Sequence, residues 1–158
     1  MKIELTNLEH SDALSEETPA FRADLVIDGT RIGTVHNTGT GGANAFRGDV
    51  DAYYRADEWC RANLPKITME TAEDIDTDLE THTFRLVQDA TFANDLRQQM
   101  TESVLWHDPA DGHLYAATIR TTKADIIAFV KQDHPDVQIL NELPFGEALA
   151  LYRRAADK

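Results

Sequence analysis

The N-terminal part of the chain alternates apolar and polar residues with a period of two, the pattern of half-buried strands. Ile3, Leu5 and Leu8 stand against polar neighbours, which predicts a strand over residues 2–8. Residues 10–19 are polar and read as a connection. Phe21, Ala23, Leu25 and Ile27 then fall two apart, and Ile32 and Val35 follow the dipeptide Asp28-Gly29. Strand, Asp-Gly, strand is a strong hairpin signal, so residues 21–27 and 31–36 are expected to pair antiparallel. The run NTGTGGANAFRG at 37–48 carries four glycines and reads as a loop with no regular element.

Further along, the period changes to that of helices. Asp49 is placed to cap a helix running to about Leu64, with Val50, Tyr53, Tyr54, Cys60 and Leu64 mostly on one face and Pro65 as the stop. Two more helices are expected over residues 78–88 and 92–100. A second hairpin, 104–106 and 114–119, turns through DPADG. Thr122 caps a helix to about Gln132, residues 137–140 form a short buried strand, and Pro144 opens a last helix to about Arg154. The order βββ, αα(α), ββ, α, β, α predicts an α+β fold, an antiparallel sheet of hairpins with helices packed on one face. Residues 1–158 read as a single domain, with 67–77 the one candidate boundary.

Composition narrows the classes. Apolar residues make up 42% and charged residues 27%, which places the chain among folded globular proteins and not disordered ones. Cys60 is the one cysteine, so no internal disulfide is possible. The opening MKIELTNLEH lacks the apolar core of a signal peptide, and no apolar run approaches the ~20 residues that span a bilayer. A cytoplasmic setting is expected. The net charge is −13, from 28 acids against 15 bases. That excess argues against direct contact with nucleic acid or with an anionic membrane. It serves solubility in the plainer reading and a basic partner protein in the sharper one.

Two segments are candidate sites. Glu70, Glu73, Asp74, Asp76, Asp78 and Glu80 form an acidic run with no Lys or Arg between Ile67 and Phe84. Such a run is either a solvated loop and helix start, where acids favour the helix dipole, or a docking surface for a basic groove. It opens like an EF-hand, but Leu79 stands at the glycine position and Arg85 at the bidentate glutamate position, so calcium is not expected. The second candidate is Gly39, Gly41 and Gly42, with Arg47 close by in sequence. Glycine loops before helices can cradle phosphate on backbone N–H groups. This one fits neither the P-loop nor the dinucleotide fingerprint, and Asp49 and Asp51 would repel an anion, so a plain turn is the simpler reading. The six histidines lack zinc spacing, although His107 and His113 flank one turn and are placed to face each other across strands. No nucleophile motif is present, and Cys60 reads as a small apolar residue. No catalytic residue, metal or cofactor is expected. The C-terminal helix with Leu149 and Leu151 suits core packing, with a partner helix as the alternative.

The segments FRADLVIDGTRIGTVHNTGTGG, DTDLETH, VLWHDPADGHLY and ILNELPFGEALALYR, taken together, resemble a group of small uncharacterised proteins encoded by tailed phages and prophages of proteobacteria. The resemblance spans nearly the whole chain. In that group a His often stands where this chain has Thr40, and an Asp where it has Gly146, so those side chains hold no general role. The resemblance implies a phage setting, within the host cytoplasm, and no mechanism. The leading expectation is a non-enzymatic accessory protein that binds a host or phage protein with a basic surface, such as an acidic, DNA-mimicking inhibitor of a host defence nuclease. The alternatives are a protein or enzyme that takes a phosphorylated ligand at the glycine loop, and a structural phage protein without a discrete site.

Overall fold

The computed structural model describes residues 1–68 and 73–156. Four strands come first: β1 (Ile3–Ser11), β2 (Ala20–Ile27), β3 (Thr30–Asn37) and β4 (Ala45–Gly48). They form an antiparallel sheet in sequence order. Asp28 and Gly29 both take positive φ, 49° and 81°, the backbone that a two-residue hairpin turn demands. The hairpin expected at Asp28-Gly29 is therefore present, with Ile27 opposite Thr30. β1 runs three residues further than the alternation suggested, because a bulge between Thr6 and Glu9 resets its register and returns Glu9, His10 and Ser11 to pairing with β2.

β4 was not expected. Its residues lie at the end of the glycine-rich run, but only its last, Gly48, is a glycine. Gly48 pairs with Gly33 of β3, and a Cβ at either position would stand 2.5 Å or less from backbone of the other strand. This close approach admits β4 as an edge strand. The ring of Phe46, 4.6 Å from that of Tyr53, ties it to the helix that follows.

Helix α1 (Val50–Asn63) starts where the sequence placed it, with the Asp49 carboxylate accepting from Ala52 N–H at 3.0 Å. Helix α2 (Leu79–Glu102) is one helix and not the two expected. No Gly or Pro interrupts it. The misreading has a geometric cause. Leu79, Thr83 and Val87 are buried on one face, whereas the next buried residue, Leu96, lies nine residues on. That is two and a half turns, so the buried stripe changes to the opposite face and the apolar period breaks while the helix does not. Then come β5 (Ser103–Asp108), β6 (His113–Thr118), α3 (Lys123–Asp133), β7 (Gln138–Ile139) and α4 (Phe145–Ala156). The later strands form a second antiparallel sheet, ordered β6-β5-β7. The fold is α+β, with two sheets where one was expected.

Contacts divide the chain into two compact units, Met1–Ala90 and Thr91–Lys158, and the division falls within α2, not at 67–77. In the first unit the inward residues of the sheet (Ile3, Phe21, Ala23, Leu25, Val35) pack with Ala56 and Cys60 of α1 and Leu79 and Val87 of α2. Helices thus cover one face of this sheet. The second unit holds two clusters, Leu96–Leu105–Leu140–Ala148 and Val104–Val130–Ile139. α4 contributes Ala148, with Leu149 and Leu151 packed against the first of these clusters, so this helix serves the core. Asn141 substitutes for missing backbone pairing: it accepts from Leu105 N–H at 2.7 Å and donates to the carbonyls of Met100 and Ser103.

Candidate functional site

The acidic run separates into residues that hold the fold and residues that do not. Asp78 accepts from Thr81 N–H at 2.7 Å, the N-cap bond of α2, and lies 3.4 Å from Arg61. Glu80 accepts from Asn44 N–H at 2.8 Å and so fastens the glycine-rich segment. Asp76 pairs with Lys66 at 2.8 Å, and the ammonium holds its carboxyl below the ordinary range. A docking surface made of all six acids would leave them without internal basic partners, and Asp76 and Asp78 have such partners. Their partners are nearby cations of 61–66, because Ile67 and Ile75 bridge each other through two backbone hydrogen bonds and bring the two arms of the segment together. Glu73 and Asp74 are exposed and, among the described residues, make no hydrogen bond or ion pair. Ile75 beside them is 52% exposed. Glu70 lies outside the described residues.

The glycine loop is braced from within. Gly39 N–H donates to the Asn37 side chain at 2.9 Å, and Gly41 N–H points at the Thr18 hydroxyl at 3.3 Å. The Gly39 carbonyl accepts from the N–H groups of Glu16, Glu17 and Thr18. Gly39 is obligatory in this arrangement, with φ at 91° and the Leu14 carbonyl 2.0 Å from where a Cβ would sit. A carboxylate oxygen of Glu17 stands 2.5 Å from the corresponding point on Gly41. A loop that spends its Gly39 and Gly41 amides internally and has a carboxylate against it is a poor phosphate cradle. Arg47 does not join these glycines: β4 carries it onto the outer face of the sheet.

Other expectations resolve simply. His113 stands opposite Asp108 and His107 opposite Leu114, so the two histidines do not face each other. Cys60 is fully buried, and burial, reinforced by Asp57 and Asp78, pushes its thiol up to about 11. That chemistry is inert and agrees with a packing role. Among the described residues no group of three or more His, Cys, Asp or Glu is arranged to hold a metal ion, and no helix is long and apolar enough to cross a membrane.

The feature that the one-dimensional pattern concealed lies on the outer face of the first sheet. Register places Arg22 beside His36 and Asp24 beside Thr34 across β2 and β3, and Thr34 beside Arg47 across β3 and β4. Arg22, Thr34, His36 and Arg47 line, with Arg31, a cleft of about 640 Å³. Arg31 is committed to Asp24 at 2.7 Å. That bond, with a second from Asn7, holds the Asp24 carboxyl down to about 2. Arg22 and Arg47 are exposed and unpaired among the described residues. The available signal was one arginine on each of three successive strands.

Comparison with protein-family models, with curated proteins and with solved structures returned no match.

Proposed function

We propose that the protein acts by binding another protein with a basic surface, as a phage-encoded accessory factor of the kind that restrains a host defence nuclease or another nucleic-acid-binding protein. The observation that carries this reading is the tip of the acidic segment. Glu73 and Asp74, which make no hydrogen bond or ion pair among the described residues, stand next to the exposed Ile75, whose backbone the bridge to Ile67 holds in place. Fixed charge around an apolar contact suits protein recognition, where charge steers the approach and the apolar group is desolvated at the centre. The surrounding charge favours the same partner: Met1–Ala90 carries eighteen Asp and Glu against eight Lys and Arg, and Thr91–Lys158 ten against seven. Asp76, Asp78 and Glu80 act as the scaffold of this surface instead of its contact residues.

The test is affinity purification from phage-infected cells with wild-type protein and the Glu73→Lys/Asp74→Lys variant, alongside melting temperatures of both. The wild type should capture a basic protein whose retention falls as salt rises. The variant should lose that partner at unchanged melting temperature, since exposed substitutions usually cost within ~0.5 kcal/mol. Capture of the same partner in the same amount by both proteins would sink the reading.

A further inference from the structure

We propose that the outer face of the first sheet is a second, independent site: an anion-binding cleft for a small phosphorylated molecule. The unit that carries eighteen acids nevertheless leaves Arg22 and Arg47, on one sheet face, unpaired among the described residues. Cross-strand neighbours of opposite charge ordinarily satisfy such arginines. Arg22 has Glu9 opposite it on β1, yet no ion pair joins them, and Glu9 lies outside the cleft. Arg47 is on the edge strand, where a charge also discourages pairing with another chain. That explanation fails for Arg22, which is on a strand with neighbours on both sides.

Geometry brings the two together. Arg22 and Arg47 are two strands apart and offset by two residues. Strand spacing puts their Cα atoms roughly 12 Å apart, a span that two arginine side chains close between them. The Thr34 hydroxyl and the His36 ring lie on the same face between them. Two free guanidiniums match the charge of one phosphomonoester, about −1.5 to −2 near neutral pH, and their planar forks suit its oxygens. The cleft is much larger than a phosphate group. Its 640 Å³ falls within the roughly 300–1,000 Å³ of pockets that enclose whole small organic ligands. A polymeric anion is disfavoured because it would extend over the acidic surroundings, whereas a small ligand meets only the cleft.

The test follows the arginine Nε–H resonances of the full ¹⁵N-labelled chain. It is titrated with inorganic phosphate and then with adenosine 5′-monophosphate as a phosphomonoester that carries an organic body. The signals of Arg22 and Arg47 should shift saturably, with the nucleotide the tighter ligand. Arg22→Gln and Arg47→Gln should each weaken binding about tenfold, with the amide spectrum confirming the fold. Arg55→Gln, which removes an exposed cation of α1, should change nothing. Asp24→Asn releases Arg31 into the cleft and should tighten binding, while Glu58→Gln, the same charge change on α1, should not. Three results would overturn the proposal: no saturable shift at ligand concentrations on the order of 10 mM, equal weakening by Arg55→Gln, or nucleotide binding no tighter than phosphate. Tighter binding of a single-stranded oligonucleotide than of the mononucleotide would also overturn it, in favour of a nucleic-acid surface. Neither result bears on Glu73 and Asp74, so this site and the protein-docking surface fail or stand separately.

Discussion

Asp24 sits on the solvent side of β2 with the Arg31 guanidinium at 2.7 Å and the Asn7 amide at 2.9 Å. Both favour the carboxylate, and its pKa falls from 3.8 to about 2. A depressed folded-state pKa adds stability that is fully present above the unfolded value and lost as pH falls through the folded one. The difference in melting temperature between wild type and Asp24→Asn should therefore be constant above about pH 5 and shrink between about pH 4 and pH 2. A thermal series across that range checks it, and a difference that stays constant down to pH 2 would contradict the assignment. Asn7, at φ 51°, owes its part in this network to the bulge in β1. No local sequence pattern marks that bulge, so the network was not legible beforehand, although Asp24 and Arg31 themselves stood on predicted strands.

At the scale of elements, caps and turns were readable and continuity was not. Asp49, Thr122 and Asp28-Gly29 do what their residue types favour, because a cap or a tight turn is decided by a few adjacent residues. The start of α2 belongs to the same class. Asp78→Ala removes the bond to Thr81 N–H and the contact with Arg61, and should destabilise the protein by about 0.5–2 kcal/mol. Asp74→Ala, a few residues before it and exposed, should fall within ~0.5 kcal/mol of wild type. Chemical denaturation of the two variants compares them directly, and equal costs would deny Asp78 its cap. Asn141 shows the opposite case. Its three bonds reach Leu105, Met100 and Ser103, some forty residues back, and nothing around Asn141 in the sequence signals them. Asn141→Ala would leave the Leu105 N–H without its partner and should cost about 1–3 kcal/mol, measured in the same way.

Over the whole molecule, the net charge of −13 sets up self-repulsion that salt screens. Melting temperature should rise between low ionic strength and about 0.15 M sodium chloride, where the Debye length has shortened to about 8 Å. A steady fall over that range would mean that attractive pairs such as Lys66–Asp76 and Lys131–Glu142 outweigh the repulsion. The sequence by itself determined the fold class, the first hairpin, the helix caps, the core role of α4 and the acidic balance, because each depends on local spacing or on a simple count. It also located the acidic run, but it could not divide that run into scaffold and surface. Tertiary structure decided the division: the Ile67–Ile75 bridge draws Asp76 towards Lys66, and the approach of α1 to α2 draws Asp78 towards Arg61, leaving Glu73 and Asp74 in solvent. Tertiary structure alone also separated Arg47 from the glycine loop and set it on one face with Arg22 and Arg31. The reason is register. Which side chains share a sheet face depends on pairing between strands and on bulges within them, and a shift of one residue reverses the answer.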